Sequence, residues 1–130
     1  MTTTLEKIIV APKTQATSCV IWLHGLGDSG DGFLPVASQL ALPDELGVRF
    51  VFPHAPVQPV TINGGMAMRS WYDIKSMDLD KRADETGVRE SAAKVEQLIE
   101  QELGKGIPAD KIILAGFSQG GVIALHLAPR

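Results

Sequence analysis

Apolar and polar positions along the chain follow two different periods. Four short apolar runs, rich in β-branched residues and each ended by glycine or proline, have the pattern of buried β-strands. They span residues 8–10, 19–23, 48–52 and 111–115. Apolar residues at helical spacing predict one helix after Asp31, a second from Glu85 to Leu103 and a third from Val122 to Ala128. Strands that alternate with helices predict an α/β fold, with a mostly parallel sheet and helices on both faces.

Composition and charge narrow the class of protein. The chain has 130 residues, 45% of them hydrophobic, and a mean hydropathy of +0.10, which is typical of one globular domain. A net charge of −3, without a cluster of Lys and Arg, predicts no nucleic-acid partner. No secretory leader and no apolar run of bilayer length is visible, so we expect a cytoplasmic protein without a stable membrane anchor.

The single cysteine, Cys19, lies inside an apolar run. One cysteine excludes an internal disulfide and a cysteine-based metal cluster. We therefore expect a buried, unreactive thiol.

The segment after residue 53 is irregular and contains Asn63-Gly64 between two short apolar runs, residues 60–62 and 66–68. Asn-Gly in this setting predicts a small hairpin with a type I′ turn. Long irregular loops are often functional, which makes this segment a candidate binding region.

The clearest chemical motif is Gly-x-Ser-x-Gly, formed by Gly116, Ser118 and Gly120 between a predicted strand and a predicted helix. A serine at such a sharp turn adopts a strained backbone conformation and presents its hydroxyl above the sheet, while glycines allow strand and helix to approach. Ser118 is therefore the predicted catalytic nucleophile.

Two backbone N–H groups are candidates for an oxyanion hole. Gln119 begins the helix after Ser118, where free N–H groups and the helix dipole favour a developing negative charge. Leu26 lies in the Gly-rich loop after the second strand, where such hydrolases place their second donor. The alternative for that loop is a tight turn without a chemical role. A P-loop for nucleoside triphosphates is excluded because no Gly-Lys-Ser or Gly-Lys-Thr follows this loop.

Four motifs in order resemble the carboxylesterase and acyl-protein thioesterase family of α/β-hydrolases. They are Val20-Ile-Trp-Leu-His-Gly-Leu-Gly-Asp28, Phe52-Pro-His-Ala-Pro56, Arg69-Ser-Trp-Tyr-Asp73 and Gly116-Phe-Ser-Gln-Gly-Gly121. The resemblance implies hydrolysis of carboxylic esters or thioesters, without a metal or organic cofactor. It implies a small-molecule ester or thioester as substrate, leaves acylated proteins, lysophospholipids and cyclic esters open, and leaves a homodimer open. It also carries the oxyanion roles onto Leu26 and Gln119.

The resemblance places Trp71 near an acyl-binding groove, and Met66, Met68 and Leu79 are further candidates for its apolar lining. The alternative is that these residues only pack a loop over the sheet. Asp73 is expected to hold a local turn or an ion pair.

A base for Ser118 is harder to find. In this architecture the acid and then the histidine follow the serine, but only twelve residues follow Ser118. His126 is about two helical turns away. His24 and His54 precede the serine, and His24 is expected to hold the oxyanion loop by hydrogen bonds. The resemblance implies that the base His and the acid Asp lie in a missing C-terminal segment.

The same resemblance implies that residues 1–130 form one α/β-hydrolase domain that lacks its C-terminal strands and helices. The strand before Ser118 would then have a bare edge, so these residues alone should be poorly soluble or need the missing part. The competing hypothesis is a non-catalytic α/β module that binds an acyl ligand or a protein partner.

Overall fold

The computed structural model describes residues 5–40, 42–74 and 85–127. Six strands and three α-helices are formed within these ranges. The strands are β1 (Lys7–Val10), β2 (Ser18–Leu23), β3 (Val48–Pro53), β4 (Val57–Val60), β5 (Met66–Arg69) and β6 (Ile112–Gly116), and the helices are α1 (Leu34–Leu40), α2 (Glu85–Gly104) and α3 (Gln119–Leu127).

The main sheet has the strand order β1-β3-β2-β6. β2 runs parallel to both β3 and β6, and β1 is antiparallel to β3. The predicted mostly parallel sheet is thus confirmed. Within the described ranges no strand pairs with the outer edge of β6, which agrees with the bare edge expected there.

Helices cover both faces of this sheet, as predicted. Every second residue of β2 is buried, and Ile21 belongs to a core cluster with residues of α2 and α3. On the other face, the ring of Trp22 lies 5.0 Å from that of Phe33, in the turn that leads into α1. Strand alternation therefore divides the side chains of β2 between two apolar layers.

The long helix α2 matches its predicted range within one residue at its end. Its buried residues Ala92, Val95 and Leu98 recur three residues apart and face the core. In contrast, α3 begins at Gln119, three residues before the predicted start. Glycine has low helix propensity, and two glycines at 120 and 121 hid this first turn from sequence patterns.

The hairpin is confirmed, but its predicted turn is wrong. β4 and β5 are antiparallel, with Val60 opposite Met66, and residues 61–65 connect them through a 3₁₀ turn. The Asp73 carboxylate accepts hydrogen bonds from Thr61 N (2.7 Å) and Thr61 Oγ1 (2.5 Å). Because these bonds hold Thr61 outside the strand, a two-residue type I′ turn cannot form. Asp73 is the local turn residue that was expected.

An ionic cluster around the buried Glu102 carboxylate lies at the amino-terminal ends of β2 and β3, at the opposite end of the strands from Ser118. Arg49 Nε is 2.8 Å from Glu102 Oε1, and Lys105 Nζ is 3.5 Å from Glu102 Oε2. Cys19 is fully buried beside them. Burial and the neighbouring Glu102 carboxylate raise the pKa of the Cys19 thiol to about 12. The thiol is buried, as predicted, and its raised pKa disfavours the reactive thiolate.

Candidate active site at Ser118

The turn between β6 and α3 presents Ser118 at the surface. Ser118 has a φ of 55°, and it is the only residue other than glycine with a positive φ in the described part of the chain. This left-handed conformation is unfavourable for a side chain with a Cβ and is found mostly where function requires it. The strained backbone predicted for Ser118 is present.

Two glycines allow the strand and the helix to approach at this turn. A Cβ on Gly116 would lie 2.5 Å from the carbonyl oxygen of Gly120. A Cβ on Gly120 would lie 2.3 Å from the carbonyl oxygen of Leu23, at the end of β2. Both distances are far below van der Waals contact, so this arrangement of β2, β6 and α3 requires glycine at both positions.

The Gly-rich loop after β2 lies directly beside Ser118. A Cβ on Gly25 would be 3.5 Å from the Cβ of Ser118 and 3.3 Å from the Phe117 ring. Gly27 has a φ of 77° and donates from its N–H to the Arg69 carbonyl at 2.9 Å. The fold thus brings together the two loops that the sequence singled out.

Free backbone donors occur in both loops. At the start of α3, Gly120 N–H donates to Phe117 O and Val122 N–H donates to Ser118 O. The N–H groups of Leu26 and Gln119 have no acceptor among the described residues. The first N–H groups of a helix lack intrahelical partners, which leaves them available to bind an anion.

His24 holds the Gly-rich loop, as expected. Its ring is buried; Ala55 N–H donates to Nε2 at 2.9 Å, so Nδ1 carries the proton and donates to Gly25 O at 2.7 Å. Burial lowers the pKa of His24 below 6.5, which keeps the ring neutral. Both ring nitrogens are occupied, so His24 is not available as a base.

The other two histidines lie away from Ser118. Nδ1 of His54 accepts the Gly30 N–H at 3.0 Å, and His54 follows β3, which β2 separates from β6. His126 lies on α3 and lines a groove of about 400 Å³ against α2, with Arg89 and Glu100. Neither position provides a base beside Ser118.

The predicted groove residues differ in accessibility. Trp71 is fully buried, and its indole N–H donates to the His24 carbonyl at 2.8 Å. In this structure Trp71 therefore holds the start of the Gly-rich loop in place. Met66 is 65% exposed, and Met68 Sδ lies 3.8 Å from a Cβ built on Gly27, next to the Gly-rich loop. Leu79 lies outside the described residues. The acyl-binding role of these residues remains a prediction.

Exposed apolar side chains occur on β6 and α3 and in the turn between them. Phe117 is 62% exposed, Ile113 on β6 is 58% exposed and Leu125 on α3 is 73% exposed. The Phe117 ring is 5.9 Å from that of Phe33. Of these residues, Phe117 adjoins Ser118 and the Gly-rich loop.

Sequence patterns missed the side-chain roles of Gln119 and Ser91. Gln119 was expected to act through its backbone alone, yet its side-chain amide binds Trp71 and Tyr72. Ser91 is buried and donates from Oγ to the Trp71 carbonyl. The one signal in the sequence was the position of Ser91, next to the apolar stripe of α2.

The described residues contain neither a metal-binding cluster nor a membrane-spanning helix. No three His, Cys, Asp or Glu side chains among them are grouped in a way that could hold a metal ion. No helix in this part of the chain is long and apolar enough to cross a membrane.

Known proteins resemble the chain in sequence and in structure. The profile of the phospholipase/carboxylesterase family matches residues 5–129. Acyl-protein thioesterase 1 of Cryptococcus neoformans is 48% identical over 130 residues, covering 96% of this chain and 53% of its own length. The Schizosaccharomyces pombe protein of the same name is 44% identical over 126 residues, with coverage of 97% and 55%.

Solved structures of similar proteins superpose on this chain. Acyl-protein thioesterase 2 of Zea mays superposes with a TM-score of 0.79 at 35% identity, covering 95% of this chain and 50% of its own. SOBER1 of Arabidopsis thaliana gives 0.77 at 36% identity, with coverage of 84% and 53%. The chain spans about half the length of the curated relatives it matches. By its sequence and its fold, the chain belongs to the phospholipase/carboxylesterase family of α/β-hydrolases.

Proposed function

We propose that this chain carries the nucleophile and the oxyanion hole of a serine hydrolase that cleaves carboxylic esters or thioesters. The observation that carries the proposal is Ser118, exposed at a left-handed turn between β6 and α3. Free N–H groups on Leu26 and Gln119, in the two loops beside Ser118, support it. Membership of a phospholipase/carboxylesterase family supports the type of reaction.

The reaction proceeds through an acyl-enzyme on Ser118. The Oγ attacks the carbonyl carbon of the substrate as a base takes the hydroxyl proton, and the carbonyl oxygen becomes an oxyanion between the N–H groups of Leu26 and Gln119. The C–O or C–S bond then breaks, and the alcohol or thiol leaves with the proton. Water releases the acid by the same steps and restores Ser118. Loss of one such N–H donor typically slows catalysis about 100- to 1000-fold.

The base and its acid partner lie outside these 130 residues in this proposal. All three histidines of the sequence are described, and His24 has both ring nitrogens bonded. His126 is eight positions beyond Ser118, about 12 Å along a helix. The chain alone should therefore hold the nucleophile without activating it, and a histidine with an Asp must be added to complete the site.

The substrate is an ester or thioester with an apolar acyl group. Phe117, the exposed neighbour of Ser118 in the chain, and Met68, beside the Gly-rich loop, offer apolar surface for such a group, and exposed Met66 lies on the same strand as Met68. The curated relatives are named acyl-protein thioesterases, which favours a thioester on an acylated protein. A small carboxylic ester and a lysophospholipid remain within the same chemistry, because a fold does not fix the substrate.

A fluorophosphonate probe tests the proposal, because it reacts with a serine that a base and an oxyanion hole activate. The protein made from its complete gene should gain one adduct, seen by intact-mass spectrometry. Trypsin cleaves after Lys111, and Ser118 is the only serine between that site and Arg130. The adduct should therefore map to the peptide that begins at Ile112 and should disappear in Ser118→Ala.

Ser18→Ala is the matched control, because Ser18 begins β2, whereas the far end of β2 pairs with the end of β6 that leads to Ser118. It should keep the full adduct. An adduct on any other serine, or none on a folded protein made from the complete gene, would contradict the proposal. The second of these results would favour a non-catalytic module that binds an acyl ligand or a protein partner.

A further inference from the structure

Residues 70–72, which we name the strap, connect the two loops that flank Ser118. Trp71 lies at its centre, and all three of its polar groups are hydrogen-bonded. Its backbone N–H donates to Gln119 Oε1 at 2.7 Å, its indole N–H donates to His24 O at 2.8 Å, and its carbonyl accepts from Ser91 Oγ. The strap thus bonds to the Gly-rich loop, to α2 and to the first residue of α3.

The side-chain amide of Gln119 holds the strap at two points. Its oxygen accepts the Trp71 N–H, and its Nε2 donates to the Tyr72 carbonyl at 2.7 Å. Gln119 is only 3% exposed, so water does not compete for these bonds. The same residue carries, on its backbone, a free N–H at the start of α3. One residue therefore joins the strap to a candidate oxyanion donor.

The other donor is tied to the strap from the opposite side. Trp71 binds the carbonyl of His24, two residues before Leu26. Gly27, immediately after Leu26, donates from its N–H to the carbonyl of Arg69, immediately before the strap. Residues on both sides of Leu26 are thus bonded to residues 69–71.

We propose that the Gln119 side-chain amide is a positioning residue: it sets the separation of the two oxyanion donors by holding the strap between them. This proposal rests on the proposed function. The two donors lie after different strands, and an oxyanion hole is effective only when both N–H groups are fixed at the position of the developing charge. The bonds to Trp71 and Tyr72 provide that fixation without contact to the substrate.

If the Gln119 amide positions the two donors, its loss should change kcat and not KM. Without the amide, the strap and α3 can shift relative to each other, which weakens bonds made in the transition state more than those made to the bound ester. kcat should fall about 10- to 100-fold, while KM should change less than twofold. A buried glutamine that only stabilised the fold would leave both constants unchanged in the folded fraction.

Two variants of the protein made from its complete gene separate these cases. Gln119→Met has a similar size and loses both bonds, but the backbone N–H remains. Glu102→Gln is the control, since Glu102 is a similarly buried residue at the far end of α2 and is bonded to Arg49. We expect Glu102→Gln to lower the melting temperature with kcat within twofold, and Gln119→Met to lower kcat at wild-type KM on the ester p-nitrophenyl butyrate. Wild-type kcat in folded Gln119→Met, or a loss confined to KM, would overturn the proposal.

Gln119→Glu provides a second test if the Met variant does not fold. A protonated carboxyl can still accept from Trp71 N–H and donate to Tyr72 O, whereas an ionised carboxylate faces the Tyr72 carbonyl without a proton. Burial raises the pKa of a carboxyl group. His24, whose carbonyl accepts from the Trp71 indole, adds no positive charge to oppose this, because burial lowers the pKa of its ring. The ratio of variant to wild-type kcat should therefore rise as pH falls from 8 to 6.

A ratio of one at pH 8 would overturn the positioning role. Failure of the proposed function gives a different pattern: Ser118→Ala would then keep the hydrolytic activity of the wild type, whatever the Gln119 variants do.

Discussion

The contact between Gly120 and the end of β2 allows a sharp test of how the turn at Ser118 is held. In Gly120→Ala, the new Cβ would lie 2.3 Å from Leu23 O and 2.5 Å from His24 O. An ordinary contact begins near 3.4 Å, so α3 must move away by about 1 Å. Overpacking typically costs about 1–3 kcal/mol of unfolding free energy, and a helix shift of about 1 Å against backbone atoms places Gly120→Ala at the upper end, about 3 kcal/mol. Alanine in a helix recovers about 1 kcal/mol, so the expected net loss is about 2 kcal/mol.

Gly121→Ala is the matched control one residue later in the same helix. Its Cβ would lie 3.5 Å from the Gly116 carbonyl oxygen, which is an ordinary contact. This variant should therefore keep or gain up to about 1 kcal/mol. Urea denaturation of protein made from the complete gene measures both. A displacement of about 1 Å at the oxyanion donor should also slow fluorophosphonate labelling of Ser118 about 100-fold in Gly120→Ala alone. Equal stability and equal labelling rates in the two variants would refute the steric argument.

Three further predictions concern Ser118, His24 and Cys19. Ser118→Gly should remove labelling by the fluorophosphonate. It should also raise the unfolding free energy by about 1 kcal/mol in thermal or urea melts, because glycine accepts the φ of 55° without strain. A less stable variant would contradict this. Because burial lowers the folded-state pKa of His24, the unfolded chain binds more protons below about pH 6.5. The contribution of His24 to the unfolding free energy is therefore complete above pH 6.5. Below pH 6.5 it falls by about 1.4 kcal/mol per pH unit, until the folded-state pKa is reached. His24→Gln should remove this pH dependence of the unfolding free energy, measured in urea melts at pH 6.5 and 5.5. The buried Cys19 thiol, with a pKa of about 12, should react with a maleimide only after unfolding, and rapid labelling of native protein would be inconsistent with its burial.

Much of the fold could be predicted from local patterns. Buried strands and the long helix α2 have apolar residues at regular intervals, and these intervals alone placed β2, β3, β6 and α2 within one or two residues. The start of α3 and the turn of the hairpin could not be predicted in this way. Both depend on contacts between distant residues: Gly120 with the end of β2, and Thr61 with Asp73.

The candidate site, too, could be predicted from the sequence only in part. Gly-x-Ser-x-Gly and the Gly-rich loop predicted where Ser118, Leu26 and Gln119 would meet, because the carboxyl ends of parallel strands share one edge of a sheet. The strap could not be predicted, since nothing in the sequence connects Gln119 to Trp71, 48 residues earlier. The position of Trp71 beneath the loops, rather than in an open groove, follows from those same hydrogen bonds.

The central claim is that Ser118 attacks the substrate while the N–H groups of Leu26 and Gln119 bind the developing oxyanion. A crystal structure of the fluorophosphonate-inhibited protein tests it most directly, because the phosphonyl oxygen occupies the position of that oxyanion. We expect a P–O bond to Ser118 Oγ and a phosphonyl oxygen about 2.7–3.1 Å from both N–H nitrogens. A phosphonyl oxygen that lies outside hydrogen-bonding distance of Leu26 and Gln119, or a phosphonate on another residue, would contradict it.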